Sequence, residues 1–132
     1  MILIDTNVIV DIVGADPNWA AWSSSALDHV AAQDQVAIND IVYAELSAGY
    51  RDAAALDNAL EILRLPVIRV PRGALFLAGQ AFRRYRRATG TRLNVLPDFF
   101  IGAHAAIEGA TLLTRDPKRI RNYFPTVTLV SP

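Results

Sequence analysis

The chain opens on an apolar run that stops at a carboxylate, Met1-Ile2-Leu3-Ile4-Asp5-Thr6-Asn7. The run predicts a strand over residues 1–5. In a parallel α/β sheet the carboxyl ends of the strands and the nearby helix starts converge on one crevice, where ligands bind. The opening stretch therefore makes Asp5 a candidate site residue.

Four further apolar segments alternate with segments of helical periodicity. Strands are predicted over residues 1–5, 35–39, 67–70, 111–114 and 127–130. Helices are predicted over 8–13, 17–32, 41–49, 51 or 52 to 63, 73–88 and 97–109, with a short helical turn after residue 117. Thr6, Asp16 and Asp40 are the expected N-caps of the first three helices. Strands that alternate with helices imply right-handed crossovers. We therefore expect one domain over residues 1–132, a three-layer α/β/α sandwich with a central, mainly parallel sheet.

Composition excludes several classes of protein. The chain has 132 residues, of which 52% are hydrophobic, and its mean hydropathy is +0.24, so disorder is not expected. It has no cysteine, which excludes disulfides and thiolate metal sites. Asp5 interrupts the first apolar run, so we expect no signal peptide, and no run reaches the ~18 apolar residues of a membrane helix. A soluble cytoplasmic protein is predicted.

Four acids lie where predicted elements begin or end. Asp5 ends the first strand, Asp98 lies in the first turn of a helix, and Asp116 follows the strand over 111–114. Glu45 lies about one turn into its helix. It shares a face with apolar residues there, so we expect it on a core-facing stripe. If the four meet in the crevice, they form a negative cluster that is costly without metal ions.

Carboxylate oxygens are hard ligands, which suit Mg²⁺ or Mn²⁺ rather than Zn²⁺. Ions held by such a cluster can activate water and stabilise the leaving oxygen in phosphodiester hydrolysis. Each acid also has a purely structural interpretation. Asp98 and Asp116 adjoin prolines at helix starts and could be caps, and Glu45 could be a salt-bridged helix residue.

Four motifs in this order resemble the PIN domain family, and more narrowly the VapC toxins of bacterial toxin–antitoxin pairs. The motifs are Leu3-Ile4-Asp5-Thr6-Asn7, Ile41-Val42-Tyr43-Ala44-Glu45-Leu46, Asp98-Phe99-Phe100-Ile101-Gly102-Ala103 and Leu113-Thr114-Arg115-Asp116. The resemblance covers essentially the whole chain. Gly102 stands where alanine is usual in the family, and the Phe99-Phe100 pair is bulkier than the common pattern. Neither departure touches an acid, so we expect the chemistry to be unaffected.

The resemblance implies a Mg²⁺- or Mn²⁺-dependent endoribonuclease with Asp5, Glu45, Asp98 and Asp116 as its catalytic and metal-binding quartet. It implies that Thr6, Asn7 and Thr114 form supporting hydrogen bonds. It also implies an RNA substrate, a VapB-like antitoxin as partner and a homodimer. A PIN nuclease of RNA processing that is not a toxin is the alternative within the family.

Net charge is zero, with 13 basic and 13 acidic residues, which argues against a generic nucleic-acid coat protein. The basic residues are unevenly placed, however. Those predicted on one side of a helix, or near the acids, are candidate RNA contacts: Arg83, Arg84, Arg86, Arg87, Arg92 and Arg115. The same helical residues could equally be an ordinary solvated face. His104 could be a general acid, although a structural histidine is the simpler interpretation.

Two other functional classes fit the sequence less well. A phosphatase or receiver-like domain with an aspartyl nucleophile usually needs a second acid close to the first, but Asn7 fills that position. It also needs a lysine after a later strand, and Lys118 is the only lysine. A non-catalytic receiver or RNA-binding module would tolerate the loss of the acids, and all four are present.

Overall fold

Five short strands, each packed side by side with its neighbours in the same direction, form the centre of the molecule. The computed structural model describes residues 1–90 and 96–132. The strands are β1 (Ile2–Ile4), β2 (Val36–Asn39), β3 (Val67–Ile68), β4 (Thr111–Leu113) and β5 (Leu129–Val130). Their order across the sheet is β3-β2-β1-β4-β5, and all four pairings are parallel. The predicted parallel sheet is confirmed.

Seven helices in the described residues connect and flank these strands. They are α1 (Thr6–Val13), α2 (Ala20–Ala31), α3 (Asp40–Ser47), α4 (Ala53–Ile62), α5 (Arg72–Thr89), α6 (Pro97–Glu108) and α7 (Lys118–Tyr123). Right-handed crossovers place α1 to α4 on one face and α5 to α7 on the other. The helix packing agrees, because α2 and α3 both contact α1, whereas α5 and α7 both contact α6. The predicted three-layer sandwich is confirmed.

The core is built around the central strand. All three residues of β1 are buried, and in β4 Leu112 and Leu113 are completely covered. Phe99 and Ile101 of α6 are also buried. Each such side chain contributes roughly 1.5–3 kcal/mol by leaving water. The acids that follow β1 and β4 are therefore attached to the most firmly packed part of the molecule.

Several helix starts differ from the predictions. Asp5, rather than Thr6, is the N-cap of α1, and its carboxylate accepts from the Thr6 backbone N–H. Asn39, rather than Asp40, caps α3. The second helix begins at Ala20 because Asp16 first accepts from two backbone N–H groups and closes a turn. In the first two cases the residue before the predicted cap has a side chain equally able to accept a hydrogen bond.

The strand order reverses between β1 and β4. From β1 the chain moves outward through β2 to β3, then returns to the other side of β1 for β4 and β5. Helices leave the sheet on opposite faces at such a point, which opens a crevice at the carboxyl ends of the two strands. Asp5 and Thr114 are the residues that directly follow β1 and β4. No helix among the described residues has the length and apolarity to span a membrane.

Candidate active site

Asp5 lies in the crevice and is held by three neighbours. Its Oδ1 accepts from the Thr6 backbone N–H at 2.7 Å, and its Oδ2 accepts from Thr114 Oγ1 at 2.7 Å. Asn7 Nδ2 donates to the same Oδ2 at 3.2 Å. Only 6% of Asp5 is exposed. The carboxylate is therefore fixed in orientation and largely removed from water.

Asn7 and Thr114 tie the loop after β4 to the start of α1. Asn7 Oδ1 accepts from the Arg115 backbone N–H at 3.1 Å, and Thr114 Oγ1 accepts from the Asp116 backbone N–H at 3.1 Å. Asn7 Nδ2 also lies 3.3 Å from Thr114 Oγ1. Thr114 is fully buried. These two side chains hold Asp5 and the backbone of Asp116 in a fixed relation.

The electrostatics of Asp5 bring in two more acids. Burial, together with the negative charges of Asp98 and Glu45, raises the pKa of Asp5 to about 6, although the hydrogen bonds from Thr114 and Thr6 lower it. A carboxylate with such neighbours favours either a proton or a cation. Asp5, Asp98 and Glu45 therefore converge closely enough to affect one another's charge.

Glu45 reaches this group from α3. Its Oε1 accepts from Thr6 Oγ1 at 2.6 Å, so one residue of α1 contacts both Asp5 and Glu45. Partial burial and the charge of Asp98 raise the pKa of Glu45, while the Thr6 hydroxyl opposes this. Among the described residues Glu45 forms no salt bridge, which removes the salt-bridge interpretation.

The expectation that Glu45 lies on a core-facing stripe is wrong. Glu45 is exposed, and so are Ala48 and Gly49, three and four positions after it. The buried residues of α3 are Val42 and Leu46, and the helix ends at Ser47. Glu45 lies on the helix surface next to this buried pair. It is therefore at the edge of the core, where a carboxylate stays accessible to ligands.

Asp98 and Asp116 face a cavity beside Asp5. Asp98 does not cap α6, because the helix has no side-chain cap, and its Oδ2 instead pairs with Arg119 Nη1 at 2.7 Å. Asp116 is exposed, and α7 also begins without a side-chain cap. Both acids line a cavity of about 330 Å³. Its other lining residues are Tyr85, Thr89, Lys118, Arg119, Asn122 and Tyr123. The cap interpretation therefore fails for both acids.

The donor set suits a hard divalent cation. Asp5 is a nearly buried carboxylate with two further acids nearby, and no cation pairs with it among residues 1–90 and 96–132. Oxygen-only ligands match Mg²⁺ or Mn²⁺. As the side chains are placed, no three acids or histidines in the described part of the chain surround one point as metal ligands would. The carboxylates thus fit the ion chemically, whereas Asp98 is turned toward Arg119.

The candidate RNA contacts fall into three groups. Arg83, Arg84, Arg86 and Arg87 are all exposed on α5, whose buried residues include Ala78, Ala81 and Phe82, and the Arg86 guanidinium lies 5.9 Å from the Phe82 ring centroid. Arg84 Nη2 donates to the Tyr123 carbonyl at 3.2 Å. Arg92 lies outside the described residues.

Arg115 forms the third group. Its Nε and Nη2 bind both oxygens of Asp11, at 2.7 and 2.9 Å, and its guanidinium lies 5.4 Å from the Trp19 ring centroid. This partly buried ion pair, which was not predicted from the sequence, joins the loop after β4 to α1. Arg115 therefore stabilises the fold beside the site, and we leave it out of the proposed RNA surface.

His104 lies inside the fold. It is 1% exposed, and Asn39 Nδ2 lies 3.2 Å from its Nδ1. Asn39 Oδ1 accepts from the Val42 N–H, so the amide group has its Nδ2 free to donate, and His104 accepts. Burial lowers the pKa of His104, which favours the neutral ring. The histidine links α6 to the start of α3 and has no access to a substrate.

Comparison with known proteins identifies relatives of this fold. The sequence profile of the PIN domain matches residues 2–124. VapBC2 from Rickettsia felis, crystallised with a DNA fragment from its promoter, contains a chain 27% identical to this one. The match covers 100% of this chain and 99% of that one, with a TM-score of 0.74. FitAcB from Neisseria gonorrhoeae is also 27% identical, over 98% of this chain and 96% of that one, with a TM-score of 0.67.

A third structure, DNA-bound VapBC from Salmonella typhimurium, shares the fold at 20% identity. It covers 98% of this chain and 96% of that one, and the TM-score is 0.65. Among curated protein sequences, none matches this chain.

Proposed function

The chain belongs to the PIN domain family, and from this premise we propose that it is a Mg²⁺- or Mn²⁺-dependent endoribonuclease, the toxin of a toxin–antitoxin pair. The observation that carries the proposal is the convergence of Asp5, Glu45 and Asp98 at the point where strand order reverses. Asp116 joins them through the cavity that it shares with Asp98.

In this proposal Asp5, Glu45, Asp98 and Asp116 hold the ion. A bound Mg²⁺ or Mn²⁺ supplies Lewis acidity to the phosphoryl group and lowers the pKa of a water molecule. Thr114 and Asn7 fix the orientation of Asp5, and Thr6 does the same for Glu45. Because these hydrogen bonds exist before a ligand arrives, the acids lose little conformational freedom on binding.

The surroundings of the acids suit a single-stranded RNA. The cavity beside Asp98 presents Lys118 and Arg119 for phosphate, and the rings of Tyr85 and Tyr123 for a base or ribose. Thr89, at the end of α5, lines the same cavity. The exposed arginines of α5, Arg83, Arg86 and Arg87, therefore lie on the helix that leads to the acids, and we assign them to the RNA backbone.

Partners are proposed from the 27% identical relatives and from the surface. VapBC2 and FitAcB are relatives of this chain over nearly its full length. On this chain Val10 and Val13 are 52% and 50% exposed and line an apolar pocket with Leu46 and Tyr50. We assign this surface to a VapB-like antitoxin, since exposed apolar patches mark protein contacts.

A second apolar patch supports a homodimer. Phe76 is 71% exposed, with Leu75 at 43% and Ile107 at 49%. An added Cβ on Gly73 would lie 4.0 Å from the Ile107 side chain, and Phe76 follows Gly73 by three positions, on nearly the same side of α5. We propose this patch as the contact between two copies.

RNA cleavage tests the proposed activity. We expect cleavage with Mg²⁺ or Mn²⁺, none with a chelator, and a loss of at least about a hundredfold in Asp5→Asn and Asp98→Asn. Asp28→Asn is the matched control, because it neutralises an exposed acid on α2 away from the crevice. Cleavage that survives the chelator, or full activity in both site variants, would contradict the metal-dependent mechanism.

A further inference from the structure

A cation of the chain itself stands at the acid cluster. Arg119 Nη1 lies 2.7 Å from Asp98 Oδ2, and the Arg119 guanidinium lies 5.5 Å from the centroid of the Tyr85 ring. The two charged side chains are similarly exposed, at 37% and 38%. The ion pair therefore sits at the wall of the cavity, where both partners are free to exchange it for other ligands.

Packing brings Arg119 to this position. The ring of Phe124 presses against the backbone of Gly102, one turn after Asp98 in α6, and an added Cβ would also lie 3.0 Å from Ile120 Cδ1. Phe124 further contacts Phe99 edge to face, with the ring centroids 6.2 Å apart. Because a glycine allows α7 to lie this close to α6, the residue before Ile120 projects directly onto Asp98.

Asp98 cannot serve two cations equally well. In the proposed function its carboxylate is a metal ligand, whereas in the structure Arg119 occupies one of its oxygens. A guanidinium and a divalent ion would repel each other at such a short distance. The same cavity offers Arg119 a different anionic partner, since it also holds Lys118 and has room for a phosphate group.

We propose that Arg119 is an exchangeable counter-ion of Asp98: a divalent ion displaces it from the carboxylate, and Arg119 then binds a phosphate of the RNA backbone in the adjoining cavity. The inference rests on the proposed function and adds to it an exchange of Arg119 between Asp98 and phosphate. Arg119 would keep the metal-free site from accumulating negative charge. It would also make substrate binding stronger once the metal is present.

Metal affinity tests the first half. Calorimetric titration with Mn²⁺ should give Arg119→Gln an affinity up to about fivefold above the parent chain, since a partly exposed ion pair is worth up to roughly 1 kcal/mol. Lys118→Gln removes the same charge from the same cavity without breaking a pair with Asp98, and should change the affinity by about twofold or less. Arg119→Lys keeps the charge and should resemble the parent. Thermal melts of all variants check that they are folded.

Binding of a short single-stranded DNA, read by fluorescence anisotropy, tests the second half. This probe carries the same phosphates, and gel analysis after each measurement checks that it is intact. Arg119→Gln should weaken binding severalfold in Mn²⁺ and little in chelator, because without metal Arg119 is held by Asp98. Equal weakening in both conditions would overturn the exchange.

The two halves of the test separate this inference from the proposed function. Equal gains in Mn²⁺ affinity for Arg119→Gln and Lys118→Gln, or no gain, would overturn the exchange while leaving the metal site intact. If the parent chain binds no Mn²⁺, or if Asp98→Asn binds Mn²⁺ as tightly as the parent does, the proposed metal-dependent activity fails as well.

Discussion

The ring of Phe124 packs onto the bare backbone of Gly102, so closely that a Cβ at residue 102 would overlap Phe124 Cδ2 and lie 2.8 Å from Cε2. Gly102→Ala should therefore destabilise the chain by about 1–3 kcal/mol, because either the ring or α7 must move. Urea unfolding measures the change. Trimming the opposing ring should relieve the overlap, so the double variant Gly102→Ala/Phe124→Leu should lose less than the sum of the two single changes. Additive losses would show that the two residues do not compete for space.

Gly79→Ala is the control for this experiment. Gly79 lies inside α5, and an added Cβ there meets nothing within 4 Å. Alanine is favoured over glycine inside a helix by roughly 1 kcal/mol. The same substitution should therefore stabilise the chain at residue 79 and destabilise it at residue 102.

The fold was predictable because the chain alternates short apolar segments with helical ones. The parallel sheet, its layers and the positions of Asp5, Asp98 and Asp116 at element ends all follow from that pattern and from the caps. Helical phase alone placed the Glu45 side chain wrongly. The helix α3 ends at Ser47, and its buried residues are Val42 and Leu46.

Long-range ion pairs were not predictable. Asp11 lies 104 positions from Arg115, and Asp98 lies 21 positions from Arg119. No local propensity links such residues, because each pair depends on how two helices or loops are placed by the packing between them. Gly102 was a visible signal, since it departs from the family pattern. The reason for the glycine is visible only in the structure, where the Phe124 ring lies against residue 102.

Asp5→Asn should stabilise the metal-free protein at neutral pH. Burial, with the charges of Asp98 and Glu45, raises the folded-state pKa of Asp5 from 3.8 to about 6. Between these values the folded chain keeps a proton that the unfolded chain releases, so stability falls as pH rises through this window and stays lower above it. The shift corresponds to about 3 kcal/mol, from which the loss of one hydrogen-bond acceptor must be subtracted.

Unfolding in chelator across that pH window measures this effect. The parent should lose stability as pH rises, and Asp5→Asn should follow a flatter curve. Asp28→Asn should follow the parent. If Asp5→Asn is less stable than the parent at neutral pH, the prediction is wrong. The hydrogen bonds of the Asp5 carboxylate then outweigh the cost of its burial and of the neighbouring charges.

Asp11→Asn should destabilise the chain by about 3 kcal/mol or more, because it leaves the guanidinium of Arg115 without its bidentate partner. Only 2% of the Asp11 side chain is exposed.

The same variant should change the response to acid. Burial alone would raise the pKa of Asp11, but the hydrogen bonds from Arg115 and Ser23 lower it overall. A lowered pKa gives stability that is present above the unfolded value and is lost as pH falls through the folded value. Asp11→Asn should therefore also be less sensitive to acid than the parent.

A double-mutant cycle with Arg115→Gln isolates this pair. The coupling energy should reach about 1–3 kcal/mol, in the upper part of the range for residues in contact. Asp52 and Arg51 give the comparison, since their ion pair is 3.5 Å long and their side chains are 53% and 88% exposed. That pair should couple by less than about 1 kcal/mol. Equal coupling in the two cycles would contradict a special role for the buried pair.

The arginines of α5 should set how strongly RNA binding depends on salt. Arg83, Arg86 and Arg87 are exposed on the helix whose end lines the cavity beside Asp98. Each phosphate contact to a single strand contributes about −0.7 to the slope of log affinity against log salt. Arg83→Gln/Arg86→Gln/Arg87→Gln should therefore reduce the magnitude of the slope by up to about 2. Fluorescence anisotropy with an RNA oligonucleotide in chelator, over a range of salt concentrations, measures the slope without cleavage.

Arg51→Gln is the control, because it removes an exposed charge beside α4, away from these residues, and should leave the slope nearly unchanged. If the triple variant keeps the parental slope, the arginines are an ordinary solvated helix face, and the RNA reaches the acids by another route.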